Sequence, residues 1–215
     1  MADYLIAANN TDNKIRRYSG FSATVDSSFS AATNLGVTWD GTDVIWTVTG
    51  GSIKKGTGFS STLKDSFAFS YAYALAWDGT NLLHVVSSSK VTKLTGFSAT
   101  VSSSVSIGTS LRGVEWDGTN LLTLDSTGTK YRKSTGFSAT IADSFTVTTN
   151  TPKDIAWDGT NLISTQDGGT KKYRKHSGFT STISDSFTYT SAEADGIKWV
   201  SGTVASTFIP KIVMF

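Results

Sequence analysis

Three charged residues of this chain lie at repeat positions that could come close together in the folded protein. Glu115 and Lys198 occupy one repeat position that is Thr or Ala in the other repeats, and Asp154 lies one repeat away from each. Two carboxylates and an ammonium group at close range could bind a polar ligand in a central channel. They could equally form a structural salt bridge or be solvated, and the sequence leaves these alternatives open.

Four further candidates for ligand binding lie in loops that differ between repeats. They are Asp12, Tyr71, Tyr73 and Asp167. Loops carry binding residues more often than the elements they connect. Sequence differences between equivalent loops of one chain indicate either a specialised binding site or loops whose sequence is unconstrained, and both interpretations stay open.

Patterns typical of catalysis or metal binding are absent from the sequence. His84 and His176 fall in different strands of non-adjacent repeats, which favours neither a metal pair nor a catalytic dyad. No Ser lies in a Gly-x-Ser-x-Gly elbow, no Gly-rich phosphate loop is present, and the chain has no Cys. The sequence therefore predicts a protein that is not an enzyme and that uses neither a metal nor a cofactor.

The composition favours short strands joined by tight turns. Of the 215 residues, 38% are hydrophobic and 17% are charged, and Ser, Thr, Gly and Asn make up much of the rest. The formal net charge of +2 says little about partners. Residues 1–10 do not resemble a signal peptide, and no apolar segment reaches the roughly 20 residues that cross a bilayer. We expect a protein made in the cytoplasm and located in a virion or outside the cell.

Internal repeats are the strongest signal in the sequence. A Gly-Phe pair recurs with its Gly at positions 20, 58, 96, 136 and 178, and a Trp recurs at 39, 77, 116, 157 and 199. The first four of these Trp residues begin the sequence Trp-Asp-Gly-Thr. Markers that stay in phase over about forty residues indicate a repeat architecture.

Each repeat is interpreted as four short strands, named a to d. In the repeat that contains Trp39 these are residues 36–39, 44–48, 53–55 and 62–69. Four strands in about forty residues are typical of a β-propeller blade. The N-terminus supplies strands b, c and d, and residues 196–199 supply a lone strand a. The sequence therefore predicts an all-β, five-bladed propeller of four-stranded antiparallel blades, a single domain over residues 1–215, closed by joining these ends.

The repeat resembles known propeller families. The blade pattern is Gly-hydrophobic-x-Trp-Asp-Gly, an apolar strand, a basic strand and Ser-Phe, and it resembles short blades of the NHL type. The blade count resembles tachylectin-like lectins, whose sugar-binding residues cannot be carried over because their motif does not align here. The amino-acid sequence of the repeat is most similar to that of repeat proteins of tailed phages and bacteria. These resemblances imply a propeller fold and leave function open.

Two propeller faces are expected to differ. The a–b and c–d turns share one face and repeat nearly unchanged, whereas the d–a and b–c loops on the other face vary. A ligand site is therefore expected on the variable face or at the channel mouth. The alternation of each repeated Trp with an apolar residue two positions earlier predicts packing between blades. The Asp after each Trp is expected to cap its turn.

Strand c contains most of the basic residues. One column is basic in every repeat: Arg17, Lys55, Lys93, Lys133 and Lys175. It could pair with the turn Asp of its own blade, lie solvated at the rim, or bind a polyanion. Nucleic acid is an improbable partner, because no aromatic residues interleave for base stacking.

The C-terminal extension, residues 201–215, ends in the most apolar stretch of the chain. Its candidate docking residues are Phe208, Ile209, Ile212, Val213, Met214 and Phe215. Residues 203–208 and 211–215 are candidates for extra strands. The extension either docks on its own propeller or anchors the molecule to a partner.

From these observations we expect a structural, decorating or surface-contact protein of a phage virion or a similar extracellular assembly. Its expected partners are other virion or assembly proteins, with cell-surface glycan as a further candidate and no membrane insertion. The alternative is a carbohydrate-binding lectin with several similar sites, one between each pair of blades.

Overall fold

The computed structural model describes residues 2–32, 35–48, 50–69, 73–87, 89–125, 127, 129–147, 151–189 and 194–202. All regular elements in these ranges are antiparallel β-strands, which form five sheets. No helix able to span a membrane occurs in these ranges.

Four blades are continuous in sequence and contain their strands in the order a to d. Blade 1 has β4 (Val37–Trp39), β5 (Val44–Val48), β6 (Ser52–Gly56) and β7 (Leu63–Ala68). Blade 2 has β8 (Leu75–Trp77), β9 (Leu82–Ser87), β10 (Lys90–Leu94) and β11 (Val101–Ser106). Blade 3 has β12 (Leu111–Trp116), β13 (Leu121–Asp125), β14 (Lys130–Ser134) and β15 (Ile141–Thr146). Blade 4 has β16 (Ile155–Trp157), β17 (Leu162–Gln166), β18 (Lys172–His176) and β19 (Ile183–Thr188).

The fifth blade joins the two ends of the chain, and we call it the closing blade. It contains β1 (Tyr4–Asn9), β2 (Lys14–Ser19) and β3 (Val25–Ser30), beside β20 (Gly196–Val200). The amide of Asp195 donates to the carbonyl oxygen of Ala8 at 3.0 Å. The Asp195 carboxylate accepts from the amide of Asn10 at 3.1 Å. The predicted five-bladed propeller, closed by these strands, is confirmed.

Burial follows the order of the strands. Strand b is buried on both faces, as in β13, where all five residues are buried. Strand d is mostly exposed. Between strands c and d every blade has a register shift at the same place, as between Lys93 and Leu94. Such a bulge bends the strand and increases its twist, and it separates the basic column residue from the c–d turn.

Aromatic contacts join neighbouring blades. The Phe of strand d in one blade meets the Phe of the Gly-Phe pair in the next, with ring centroids 4.8 to 5.2 Å apart in edge-to-face geometry. These pairs are Phe29–Phe59, Phe67–Phe97, Phe145–Phe179 and Phe187–Phe21. Between blades 2 and 3, Val105 takes the place of the strand-d Phe. The repeated Trp residues pack against the same clusters, as the sequence predicted.

The face that carries the nearly identical a–b and c–d turns, which we call the conserved face because they recur within this chain, is held by ion pairs between strand c and the a–b turn of the same blade. Lys93 Nζ lies 2.9 Å from Asp78 Oδ2, and the corresponding pairs are Lys55–Asp40, Lys133–Asp117 and Lys175–Asp158. Asp78 Oδ1 also accepts the turn amides of Thr80 and Asn81 at 3.0 and 2.7 Å. Burial raises the pKa of Asp78, but these bonds outweigh it and the pKa lies below its ordinary value.

The same basic column contacts aromatic rings of the next blade. Lys93 Nζ lies 4.7 Å from the ring centroid of Phe137 and 5.5 Å from that of Trp116. Cations at these distances are attracted by the ring faces. The closing blade has no a–b turn and so no Asp at this place, and Arg17 instead pairs with Asp26 at 2.6 Å. Each column residue therefore joins its own blade to the next.

Candidate functional site

The axis of the ring is lined by strand a of every blade. Three positions of this strand, counted back from the repeated Trp, form three layers along the axis. The outer layer, on the variable face, consists of Leu35, Tyr73, Arg112, Lys153 and Asp195, which line one small cavity at the mouth of the channel. The middle layer is Gly36, Ala74, Gly113, Asp154 and Gly196, and the inner layer is Thr38, Ala76, Glu115, Ala156 and Lys198.

The middle layer has little room for side chains because the strands approach closely. A Cβ atom on Gly196 would lie 2.7 Å from the carbonyl oxygen of Leu35, and one on Gly36 would lie 3.0 Å from the backbone of Ala74. One long side chain enters this layer. It is Asp154, whose Oδ1 would lie 2.9 Å from a Cβ on Gly113. Glycine at 113 therefore provides the space that this carboxyl group fills.

Asp154 is fully buried and is held by backbone amides. Its Oδ2 accepts a hydrogen bond from the amide of Ile197 in the closing blade at 2.9 Å. Burial raises the pKa of Asp154 well above its ordinary value. Hydrogen bonds from the amides of Ile197, Ile155 and Val114 lower the pKa in part, and the carboxylate of Glu115 raises it further. The carboxyl group thus lies on the axis between the outer and inner layers.

Glu115 and Lys198 form an ion pair in the inner layer. Lys198 Nζ lies 2.8 Å from Oε1 and 2.9 Å from Oε2 of Glu115, whose residue is 1% exposed. The pair joins blade 3 to the closing blade, and the intervening blade 4 has Ala156 at this position. Burial raises the pKa of Glu115, whereas Lys198 and the amides of Trp116 and Trp157 lower it. A structural ion pair is therefore present where the sequence left this alternative open.

The outer layer combines opposite charges with an aromatic ring. The Arg112 guanidinium lies 4.9 Å from the ring centroid of Tyr73. Lys153 Nζ lies 3.5 Å from Asp167 Oδ2 and 4.0 Å from Asp195 Oδ1. This mouth can contact a polar or charged partner through groups of both signs.

The seven predicted binding residues are only partly brought together. Glu115, Asp154 and Lys198 lie in the two deeper layers, Tyr73 lies in the mouth, and Asp167 joins the mouth through Lys153. Asp12 lies apart from them. It pairs with Arg16 and lines a cavity between the closing blade and blade 4. Tyr71 and the docking residues from Phe208 to Phe215 lie outside the described residues.

The two histidines are buried between blades. His176 Nδ1 lies 2.9 Å from the carbonyl oxygen of Thr180, and its Nε2 lies 2.9 Å from Ser164 Oγ. His84 packs 4.4 Å from the ring of Phe69, and its ring nitrogens have no hydrogen-bond partner among the described residues. Burial lowers the pKa of each histidine to about 4. The hydrogen bond between Ser164 and His176 is buried, since the two residues are 2% and 0% exposed.

Two surfaces were missed by the sequence reasoning. The first, which we call the indole depression, is a hollow of about 660 Å³ on the conserved face beside Trp39, Trp77 and Trp199. The second is a ring of exposed aliphatic side chains at one position of every strand d: Val25, Leu63, Val101, Ile141 and Ile183. Their identical phase in the five repeats was visible in the sequence, and their exposure was not.

The sequence matches no protein-family model, and no curated protein matches it. Solved structures share its architecture. Glutaminyl cyclase from Myxococcus xanthus aligns with a TM-score of 0.59 and 12% identity over 77% of this chain and 69% of that chain. A protein of unknown function from Bacteroides caccae gives 0.53 and 12% over 87% and 73%. A chain of the mitotic checkpoint complex gives 0.53 and 16% over 85% and 62%. These likenesses show the propeller fold.

One sequence-based prediction needs correction here. The prediction that the protein is not an enzyme does not stand, because this architecture is shared by an enzyme, a glutaminyl cyclase. The lack of a recognisable catalytic motif is weak evidence against enzymatic activity, because this fold hosts many functions. At 12% identity the likeness shows a shared fold and not a shared reaction.

Proposed function

We propose that the protein is a contact protein of a phage virion or a similar extracellular assembly, and that it binds its partner with the variable face around the channel mouth. One observation carries this proposal. Five equivalent backbone positions at the mouth carry Leu, Tyr, Arg, Lys and Asp, whereas the opposite face repeats the same turns with the same ion pairs. Side chains that differ on a repeated scaffold are suited to recognition of one partner.

Protein is the partner class with most support. The mouth offers Arg112, Lys153 and Asp195 beside Tyr73, and Arg and Tyr are enriched in protein interfaces. A chain of similar fold belongs to the mitotic checkpoint complex, which is an assembly of proteins by its name. The proposed location in a virion is supported by the similarity of the repeat sequence to repeat proteins of tailed phages.

Removing the positive charges of the mouth is expected to abolish this contact and to leave the fold intact. The test compares two full-length double variants, Arg112→Ser/Lys153→Ser and Thr119→Glu/Thr160→Glu. The second is the control, because it changes the net charge by the same amount on exposed turns of the conserved face. Extracellular particles of the source organism are purified by sedimentation, and the protein is quantified by mass spectrometry. We expect the first variant to be lost from particles and the second to be retained.

Equal retention of both variants, or absence of the wild-type protein from particles, would contradict the proposal. Circular dichroism and thermal melting confirm that both variants fold. A glycan array run with the same proteins separates the lectin alternative, which predicts saturable glycan binding at several sites per chain. Column residues Lys93 and Lys175 lie over the rings of Phe137 and Phe21, which argues against sugar stacking on these two rings.

A further inference from the structure

The indole depression lies where the closing blade has no a–b turn. In blades 1 to 4 the sequence Trp-Asp-Gly-Thr joins strands a and b, and its Asp binds the basic column. In the closing blade strands a and b belong to opposite ends of the chain, so no turn joins Trp199 to Tyr4. The hollow is bounded by Tyr4, Trp199 and Val200 of the closing blade, by Trp39 and Phe59 of blade 1 and by Trp77 of blade 2.

The chain leaves the described propeller at the edge of this hollow. Ser201 and Gly202 line the depression, and the amide of Gly202 donates to Asp3 Oδ1 at 2.8 Å. Thirteen residues, 203–215, follow Gly202 in the sequence. At roughly 3.3 Å per residue, the six residues 203–208 reach up to about 20 Å from Gly202. The depression therefore lies within reach of the apolar residues that follow.

The chemistry of the two surfaces is complementary. The depression presents three indole rings, a phenol and a phenyl ring. Between Phe208 and Phe215 the chain carries six apolar residues besides Pro210 and a single charge, at Lys211. Burial of such side chains against aromatic rings is favourable, and a contiguous apolar patch left in water is unusual on a monomer.

We propose that residues 203–215 dock in the indole depression of their own propeller, with the apolar side chains from Phe208 to Phe215 against Trp39, Trp77 and Trp199. The segment then covers the gap left by the missing a–b turn. This contact lies on the face opposite the channel mouth. It is independent of the function proposed above, because it requires no external partner.

Trypsin cleavage after Lys211 tests this contact in the full-length protein. Cleavage there releases the peptide Ile212–Phe215, which mass spectrometry measures as a change in mass. We expect the native wild-type protein to resist cleavage at Lys211 compared with the same site in denatured protein. Thr42→Trp places a large side chain in the depression without adding a trypsin site and is expected to accelerate cleavage several-fold.

The matched control is Thr119→Trp, which makes the same substitution at the equivalent turn of blade 3, away from the depression. It is expected to cleave at the wild-type rate. Equal cleavage of wild-type and Thr42→Trp proteins at Lys211 would overturn the proposal. Protection that disappears on dilution, together with a dimer in light scattering, would also overturn it, because the depression would then hold the segment of a second copy.

Discussion

Replacing Lys198 by Met is expected to lower the free energy of unfolding by roughly 3–5 kcal/mol, since it leaves a buried carboxylate without its cation. Glu115 is 1% exposed, and both of its oxygens lie within 2.9 Å of Lys198 Nζ. Burial raises the pKa of Glu115, and removal of Lys198 removes the opposing charge. The loss should therefore shrink at acid pH, where Glu115 binds a proton and no longer needs a cation. Urea unfolding followed by Trp fluorescence measures the effect.

The double variant Glu115→Ala/Lys198→Ala is the control for this prediction. Blades 2 and 4 already have alanine at this position, as Ala76 and Ala156. Because no charge is then buried without a partner, we expect the double variant to be more stable than Lys198→Met. A double variant as unstable as Lys198→Met would show that packing, and not charge, explains the loss.

Gly196→Ala is expected to lower the free energy of unfolding by about 3 kcal/mol, the upper end of the cost of overpacking a core. Its Cβ would lie 2.7 Å from the carbonyl oxygen of Leu35 and 2.9 Å from the amide nitrogen of Val37. These are backbone atoms of blade 1, so relief of the clash requires strand a of the closing blade to move away from strand a of blade 1. Thermal melting and urea unfolding report the loss.

The equivalent position in blade 2 supplies a comparison, because Ala74 is accommodated there. Ala74→Gly is expected to cost only about 0.5–1 kcal/mol, the usual cost of glycine in a regular element. If Gly196→Ala and Ala74→Gly have equally small effects, the close approach of strands around the axis is not a constraint on stability.

The repeats were sufficient to predict the architecture. Gly-Phe and Trp-Asp-Gly in constant phase specify four strands per blade, and the observed β4, Val37–Trp39, falls within the predicted strand 36–39. Turn capping by Asp78 and its pairing with Lys93 were also foreseeable, because these contacts are local to one blade. The single domain over residues 1–215 and the two extra strands after Gly202 stay predictions.

The axial cluster was less predictable because it depends on contacts between distant repeats. The sequence identified Glu115, Lys198 and Asp154, but only the closed ring places Lys198 against Glu115 across blade 4 and Asp154 against the amide of Ile197. The contact of Ser164 with His176 joins two strands of one blade and has no motif. The indole depression was invisible in the repeats because it arises where the repeat is interrupted.

Ring closure is the claim on which the axial cluster and the indole depression both depend. Hydrogen exchange of the Asp195 amide, measured residue by residue by NMR, tests closure most directly. This amide donates to Ala8 across the chain ends at 3.0 Å, as the Thr47 amide donates to Gly36 within blade 1 at the same distance. We predict comparable protection of the two amides. Rapid exchange at Asp195 with slow exchange at Thr47 would show that the ring is open.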